Sequence, residues 1–207
     1  MTCLDTLPPP PLAESCIVVL ETKRLVLRAP QLVDGKAVAA LANDRRVAEN
    51  TARIPHPYRL PDAESWIGGA NAAPDTLTYL ITLADDTVIG SCSLSIDDGP
   101  VPDIGYWLGT RYWGKGYATE AVRALIDHAF VDLGHKALQS SVRVTNPDSR
   151  RVLEKCGFQW TGVGLCRIRA LGSSVPVDRF RLERSIWTAL KNWGPVKRLD
   201  GPVKHVA

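Results

Sequence analysis

Apolar positions along the chain follow two spacings, and each spacing predicts one kind of element. From Val122 to Leu133 apolar residues recur at i, i+3, i+4, i+7, i+8 and i+11, which is one face of a helix. Shorter β-rich stretches predict strands, which cover residues 16–29, 78–83, 88–96, 103–108, 138–144, 159–169 and 178–186. Helical spacing and polar start residues predict three further helices, at 32–50, 62–66 and 146–157.

Polar residues and glycines mark where these helices begin and end. Asp34, Asp62 and Thr119 stand at three predicted starts, and all three residue types can accept a hydrogen bond from a first-turn N–H group. Asn146 is a favoured N-cap, with a proline at the first helical position after it. Gly157 predicts the end of that helix.

The predicted elements lie between two tails. Residues 1–15 include four consecutive prolines, which form a stiff extended stretch that cannot join a helix or a central strand. Residues 191–207 hold two Gly-Pro pairs and no periodicity, so they predict a loose C-terminal tail. Residues 16–190 follow the order strand, two helices, three-strand meander, helix, strand, helix and final strands. That order predicts one mixed α/β (α+β) domain around a sheet.

A glycine-rich turn directly precedes the long helix, within residues 111–120. Gly114 and Gly116 can adopt positive φ and bring backbone N–H groups close to a ligand. The helix that follows offers further unpaired N–H groups and the positive end of its dipole. The stretch lacks the Gly-Lys-Ser/Thr ending of a Walker loop and the third glycine of a dinucleotide fingerprint. On its residues alone it is either a phosphate cradle or a structural turn.

Composition and charge exclude several classes of function. The chain has 207 residues, 45% hydrophobic and 23% charged, which suits one soluble globular domain. A net charge of +3 with interleaved acidic residues argues against nucleic-acid binding. Five scattered cysteines without a C-x-x-C pair predict neither a zinc site nor a disulfide framework. Because no apolar stretch has the length of a membrane span or signal sequence, we expect a cytoplasmic protein with no membrane partner. We also expect no metal.

Separated motifs in a fixed order resemble one protein family. They include Ile104-Gly-Tyr-Trp-Leu108, Arg111-x-x-Gly-x-Gly116 and Asn146-x-x-Ser149, with further pieces at 21–28, 57–67 and 153–158. Together they are similar to the GNAT superfamily of acetyl-CoA-dependent N-acetyltransferases. Within it they resemble the branch that contains the ribosomal-protein N-terminal acetyltransferases and their small-molecule relatives. The resemblance covers about residues 21–188.

The resemblance implies where acetyl-CoA binds. The strands at 103–108 and 138–144 would splay apart, and the pantetheine arm would lie in the wedge, bonded to the backbone of Tyr106, Trp107 and Leu108. The diphosphate would rest on backbone amides, those of Trp113, Gly114, Lys115, Gly116, Tyr117, Ala118 and Thr119. Arg111 would add a charged contact to the diphosphate, unless it is a solvated turn residue. Asn146 would cap its helix and contact the cofactor.

Acyl transfer to an amine needs a neutral amine, a stabilised oxyanion and a departing thiolate. The resemblance implies that a backbone N–H near residues 107–108 holds the oxyanion. Asp103 stands where this branch often has a glutamate, and it is either a base acting through water or a polar residue at a strand start. Ser149 is either the donor to the thiolate or a residue bonded to its own backbone.

The acceptor is less legible. The segment that would overhang it contributes Arg53, His56, Tyr58 and Trp66, although Trp66 also suits a core and His56 a surface. We expect direct transfer to a primary amine in a ternary complex, by a monomer or homodimer. The amine could belong to a protein N-terminus, a polyamine, an aminoglycoside or an amino-acid-like metabolite, and an anionic pocket would favour the cationic small molecules. The alternative is a non-catalytic acyl-CoA-binding or regulatory module of the same fold.

Overall fold

The computed structural model describes residues 18–96 and 99–191, together with the backbone of residues 197–199. The predicted N-terminal tail at 1–15 lies outside these residues. Residues 16–17 of the first predicted strand and most of the predicted C-terminal tail also lie outside them.

Nine strands of the described chain form a single sheet. They are β1 (Val19–Glu21), β2 (Leu25–Arg28), β3 (Thr76–Leu83), β4 (Val88–Ser95), β5 (Asp103–Leu108), β6 (Ala137–Arg143), β7 (Gln159–Ile168), β8 (Ser173–Glu183) and β9 (Lys197–Leu199). Their order across the sheet is β7-β8-β6-β5-β4-β3-β2-β1-β9. Only β5 and β6 are parallel neighbours among the described strands. The mixed α/β fold with a mostly antiparallel sheet is therefore confirmed.

Helices cover both faces of the sheet. They are α1 (Gly35–Ala42), α2 (Arg45–Ala48), α3 (Leu60–Ala72), α4 (Tyr117–Asp127), α5 (Pro147–Lys155) and α6 (Arg184–Leu190). Short helical turns lie at Leu32–Asp34, Thr110–Tyr112, His128–Asp132 and Arg169–Leu171. The long amphipathic helix predicted from its apolar spacing is α4 continued by the turn at His128–Asp132.

Strand alternation divides the buried side chains between two clusters. Because successive side chains of a strand point to opposite faces, Tyr79 and Ile81 of β3 face α4 while Leu80 between them faces α1 and α3. The same rule places Tyr106 of β5 toward α4 and Trp107 toward α1. The sheet thus has an α4 face and an α1 face, which carry different sets of side chains.

The two parallel strands β5 and β6 separate after they begin. They are in register at Asp103 and Gln139, where the Gln139 N–H donates to the Pro102 carbonyl at 2.9 Å. Next to this pair, the Ser140 hydroxyl donates to the Ile104 carbonyl at 2.7 Å. No further register pair joins the two strands among the described residues. The predicted splay is therefore present, and it opens a wedge toward the ends of β5 and β6.

A glycine on the neighbouring strand β4 lets β5 lie close to β4 and away from β6. A Cβ built on Gly90 of β4 would lie 2.1 Å from the Trp107 carbonyl oxygen and 2.9 Å from Leu108 Cα. Such distances are shorter than any that real Cβ atoms show, so β5 occupies its position only because residue 90 has no side chain.

The predicted helix at 32–50 is wrong in its continuity. The chain forms a short turn, then α1 and then α2. Asp34 does not cap α1 with its side chain. Its carboxylate is buried, accepts two hydrogen bonds from the Arg28 guanidinium at 2.8 Å, and accepts a third from the Gln31 N–H group. Asp44 is the residue that caps a helix here, since it accepts from the Arg46 N–H group at the start of α2.

Two other helix starts differ from the prediction. Helix α3 begins at Leu60, where the Asp62 carboxylate accepts from the Arg59 N–H group inside the first turn. It also runs on to Ala72, well beyond the predicted end at Trp66. Helix α4 begins two residues before Thr119, because the left-handed Gly116 already turns the chain into the helix.

The C-terminal part also differs from the prediction. The strand predicted at 178–186 ends at Glu183, and Arg184–Leu190 form α6, whose Trp187 packs into the core. Residues 191–207 are not a loose tail throughout, because Lys197–Leu199 pair with β1 and extend the sheet by one strand. Pairing of this kind depends on backbone groups, which apolar periodicity does not report.

We expect Asp34→Asn to lower the free energy of unfolding by about 3 kcal/mol, because it removes the buried negative charge that pairs with the Arg28 guanidinium. Urea titration followed by tryptophan fluorescence measures this change. Asp86→Asn is the matched control, since Asp86 pairs with the same Arg28 but is 69% exposed, and it should cost less than about 1 kcal/mol. Equal losses in the two variants would contradict the assignment.

Candidate active site

A cavity of about 380 Å³ lies at the open end of the wedge, between β5, the start of α4 and α5. Most of the predicted cofactor-binding residues lie on its wall, namely Tyr106, Trp107, Leu108, Trp113, Gly114, Gly116, Tyr117, Ala118, Thr119, Asn146 and Ser149. Lys115 and Arg111 do not. The Arg111 guanidinium lies 4.8 Å from the centre of the Tyr112 ring and borders a second, smaller cavity beside α1. Its contact with a diphosphate stays a prediction.

The glycine-rich turn has the geometry of an anion cradle. Gly114 and Gly116 have φ of 73° and 79°, values that other residues adopt only with strain. The turn leads directly into α4, whose first N–H groups have no partner within the helix. Backbone donors from the turn and from the helix start therefore point toward the same end of the cavity, where the helix dipole also favours negative charge.

An ion pair outside the cavity holds this turn in place. The Glu120 carboxylate accepts from the Thr22 hydroxyl at 2.7 Å, from the Arg24 N–H at 2.9 Å and from Arg24 Nε at 2.7 Å. The same guanidinium donates to the Lys115 carbonyl at 3.0 Å and lies over the Tyr117 ring. The β1–β2 turn is thereby fastened to the middle of the glycine-rich turn and to the first turn of α4. We call these contacts of Arg24 and Glu120 the loop clamp.

The loop clamp sets the charge state of its carboxylate. Burial alone would raise the pKa of Glu120, but the hydrogen bonds from Thr22 and Arg24 outweigh it, so the pKa lies below its ordinary value. Sequence reasoning gave Arg24 no role, because its partners are almost 100 residues away. From the sequence alone, Glu120 is only a favourable negative charge in the first turn of a helix.

Two hydroxyl groups meet where β5 faces α5. Tyr106 Oη and Ser149 Oγ are 2.7 Å apart, and either can be the donor. The tyrosine hydroxyl also donates to the Ser149 carbonyl at 3.0 Å. Burial raises the pKa of Tyr106 well above its ordinary range, and the bond to Ser149 offsets only part of that rise. Ser149 Oγ thus bonds to Tyr106. The Ser149 backbone N–H donates to Asn146 Oδ1 at 3.1 Å, which is the N-cap bond of α5.

The arginines and lysine of α5 divide between the cavity and the neighbouring strand. Arg151 and Lys155 lie on the cavity wall, where they can approach phosphate groups. Arg150 turns away and pairs with Glu154 at 2.9 Å and with Asp178 at 3.2 Å. From the sequence alone, all three are consistent with a solvated helix face and also with contacts to phosphate groups. Helical spacing could not separate neighbours that share an exposed face.

Asp103 lies away from the cavity wall. It stands at the closed end of the wedge, opposite Ser95 and Gln139, and about 10 Å along the strand from Tyr106. Strand alternation also puts it on the α1 face, whereas Tyr106 is on the α4 face. A direct contact between Asp103 and a group at Ser149 is therefore excluded by distance. Its role as a base acting through water stays a prediction.

The four predicted acceptor residues do not line the cavity. Tyr58 is buried in the cluster beneath α1 and α3, and burial raises its pKa to about 12. Trp66 packs against the same cluster. Arg53 and His56 are exposed on the segment between α2 and α3. That segment contributes Asn50 to the cavity wall and α2 contributes Val47, neither of which the sequence singled out.

The described residues contain no group of three histidine, cysteine or acidic side chains that could hold a metal ion. No described helix combines the length and the apolar character needed to cross a membrane.

Comparison with known proteins decides the family. A family profile described as "Acetyltransferase (GNAT) domain" matches residues 24–159. A Bacillus licheniformis protein named "Uncharacterized N-acetyltransferase p20" is 30% identical over 168 residues, which cover 79% of this chain and 94% of that protein. The chain belongs to the GNAT acetyltransferase family. The predicted resemblance is confirmed, and the protein is an acyltransferase.

Solved GNAT structures share the fold and bind coenzyme A. RimL, a ribosomal L7/L12 alpha-N-protein acetyltransferase solved with coenzyme A, is 19% identical with a TM-score of 0.69 over 78% of this chain and 95% of its own. A Vibrio cholerae spermidine N-acetyltransferase, solved with CoA and spermine, is 21% identical with a TM-score of 0.69 over 81% of this chain and 99% of its own. One acts on a protein and the other on a polyamine, so likeness of fold leaves the acceptor of this GNAT enzyme open.

We expect Glu120→Gln to lower the free energy of unfolding by about 2 kcal/mol at pH 7, because it removes a charged acceptor from three donors. A carboxyl whose pKa is lowered by folding stabilises the protein above its unfolded pKa of about 4.3, and this contribution is lost as the pH falls through the folded pKa. The difference between wild type and variant should therefore shrink below about pH 4.

Urea titrations between pH 7 and pH 3.5 measure that difference. Glu154→Gln is the control, because Glu154 is 47% exposed and pairs with Arg150 on the surface of α5. It should change stability little at any pH. A deficit of the Glu120 variant that stays constant over the whole range would contradict the loop clamp.

Proposed function

We propose that this GNAT enzyme transfers acetyl from acetyl-CoA directly to a primary amine in a ternary complex. The observation that carries the proposal is the cavity at the wedge, which combines an anion cradle, a strand edge and a pair of hydroxyls along one wall. An extended ligand with a diphosphate at one end and a thioester further along would match these three features in order.

The donor would be held mainly by backbone groups. N–H groups of the glycine-rich turn and of the first turn of α4 would bind the diphosphate without a metal ion. Lys155 on the cavity wall would add positive charge, and so would Arg151, which is paired with Asp148 of the same wall. Along Tyr106–Leu108, β5 has backbone groups on the wedge side that can bond the amides of the pantetheine arm.

The hydroxyl pair would stabilise the departing sulfur. When the C–N bond forms and the C–S bond breaks, the negative charge moves onto the CoA sulfur. Ser149 Oγ can donate to that sulfur once the single hydroxyl proton of Tyr106 turns from the Ser149 carbonyl to Ser149 Oγ. Full proton transfer from Tyr106 is unfavourable, because burial raises its pKa. A thiol has an ordinary pKa of about 8.5, so its thiolate leaves with hydrogen-bond support alone.

The demand on the base depends on the amine. An α-amino group with a pKa near 7.8 is about one quarter neutral at pH 7.4, whereas a lysine side chain is about one part in a thousand neutral. An acceptor with an α-amino group would need only a weak or distant base. This suits Asp103, which lies at the closed end of the wedge and would act through water.

Calorimetry with acetyl-CoA and a thiol-release assay over a panel of amines test this proposal. The expected result is binding of acetyl-CoA in the micromolar range or tighter, with CoA released only when an amine is present. CoA release that precedes amine addition would indicate an acetylated enzyme instead of direct transfer. Binding without turnover for any amine would favour the non-catalytic alternative.

We expect Tyr106→Phe and Ser149→Ala each to lower kcat by about 10- to 100-fold, because each removes one donor from the path to the sulfur. The double variant should be little worse than Ser149→Ala, since the two hydroxyls act as one unit. Calorimetry should find the acetyl-CoA affinity within about threefold of wild type. A loss in affinity that accounts for the whole loss in activity would show that the pair serves binding alone.

A further inference from the structure

The α1 face of the sheet changes character beyond the wedge. Over β2–β4 it is covered by α1 and α3, whereas over β6 and β8 it carries polar side chains. Strand alternation and the β6–β8 register put Ser141, Arg143, Arg179 and Arg181 side by side there. We call Arg143, Arg179 and Arg181 the arginine face. It lies on the side of the wedge opposite the Tyr106–Ser149 pair.

Arg143 lies where this face meets the wedge. Since β5 and β6 run parallel from the pair Asp103 and Gln139, Arg143 stands level with Trp107, which is on the cavity wall. Its guanidinium donates from Nη1 to the Glu49 carbonyl at 2.8 Å, which ties it to the chain just after α2. The other nitrogens of the fork remain available to a ligand.

Arg179 is placed by a glycine on the neighbouring strand. A Cβ on Gly164 of β7 would lie 2.4 Å from Arg179 Nε and 2.6 Å from Nη2, so the guanidinium lies flat against the backbone at that position. Any side chain at residue 164 would displace it. Arg179 is otherwise exposed, and in the described structure its guanidinium has no acidic partner.

The charges on this face do not cancel. Arg181 is paired with Glu183 at 2.5 Å, and Asp103 stands at the closed end of the wedge. In the described part of the chain, no carboxylate forms an ion pair with Arg143 or Arg179. Two guanidinium groups without a carboxylate partner therefore lie on the α1 face, on the side of the wedge opposite the Tyr106–Ser149 pair.

The chain after α2 is bonded to residues close to the arginine face. The Arg169 N–H at the end of the β7–β8 hairpin donates to the Ala52 carbonyl at 3.0 Å. The Arg143–Glu49 bond attaches the same segment to β6. Asn50 of that segment lies on the cavity wall, so Arg143 is held beside the cavity.

From these contacts we infer that the acceptor is a primary amine that also carries a carboxylate, which Arg143 and Arg179 bind while the amine reaches the thioester. The inference rests on the proposed acetyl transfer and narrows its acceptor. Guanidinium groups bind carboxylates through paired, charge-assisted hydrogen bonds. A polyamine or aminoglycoside would bring further positive charge next to two arginines and would bind poorly. An anionic pocket would have favoured cationic small molecules, whereas this face is cationic and favours an amino-acid-like or acidic peptide acceptor.

Matched acceptors that differ in charge test the inference. Leucine and leucinamide differ only at the carboxyl group, and the C-terminally amidated tripeptides Ser-Glu-Glu and Ser-Lys-Lys differ in side-chain charge. Rates are compared per concentration of neutral amine, because amidation also lowers the pKa of the α-amino group. We expect kcat/KM to favour the carboxylate-bearing member of a pair by about tenfold or more. Preference within the first pair identifies a small amino acid, and preference within the second identifies an acidic peptide N-terminus.

Arg179→Gln separates recognition from folding, because the Arg179 side chain makes no hydrogen bond in the described structure. We expect it to raise KM for the favoured acceptor about tenfold with kcat nearly unchanged, and to leave the amidated or lysine-containing partner unaffected. Arg167→Gln is the matched control, since Arg167 is exposed on the neighbouring β7 but faces the other side of the sheet. It should change neither acceptor.

The outcomes distinguish this inference from the proposed function. Efficient acetylation with no preference for carboxylates, or an Arg179→Gln variant that slows both members of a pair equally, overturns the inference and leaves acetyl transfer standing. Failure to bind acetyl-CoA and to release thiol with any amine, spermidine included, overturns both.

Discussion

The separation of β5 from β6 is the constraint on which the rest of the site depends. A strand in the middle of a sheet normally bonds on both sides, and a backbone group that finds no partner costs free energy. Here β5 bonds to β4 along its whole length but pairs with β6 only at Asp103 and Gln139. The wedge thus presents backbone groups to a ligand in the interior of the fold. It also divides the chemistry, with Tyr106 and Ser149 on one face and the arginines on the other.

The glycine-rich turn works only because distant parts of the chain hold it still. Its two glycines gain freedom in the unfolded state that must be given up on folding, so a turn of this kind is costly to order. The loop clamp supplies that order through one guanidinium, which contacts the Glu120 carboxylate, the Lys115 carbonyl and the Tyr117 ring together. Because the donors are then fixed in advance, binding of a diphosphate need not restrict the turn further.

Much of the fold could be predicted from local pattern, whereas the links between distant segments could not. Apolar spacing indicated α4, and the Asn146 cap and Gly157 stop indicated α5, because those signals act within a few residues. The break between α1 and α2 was missed, because apolar residues keep helical spacing across it while the Asp44 cap starts a new helix. The glycine-rich turn and Ser149 were found from motifs. The roles of Arg24 and of the Tyr106 hydroxyl could not be predicted, because their partners come from distant segments. The arginines of β6 and β8 could be placed side by side only from the register of the sheet.

The width of the wedge is set from behind by Gly90, which contacts the backbone of Trp107 and Leu108 from the neighbouring strand. A residue on β4, on the far side of β5 from the wedge, therefore controls how closely β5 can approach that strand and how far it stands from β6. The gap between β5 and β6 therefore depends on the absence of a Cβ atom at residue 90. A side chain at this position would force β5 away from β4 and toward β6, and the opening would be correspondingly narrower.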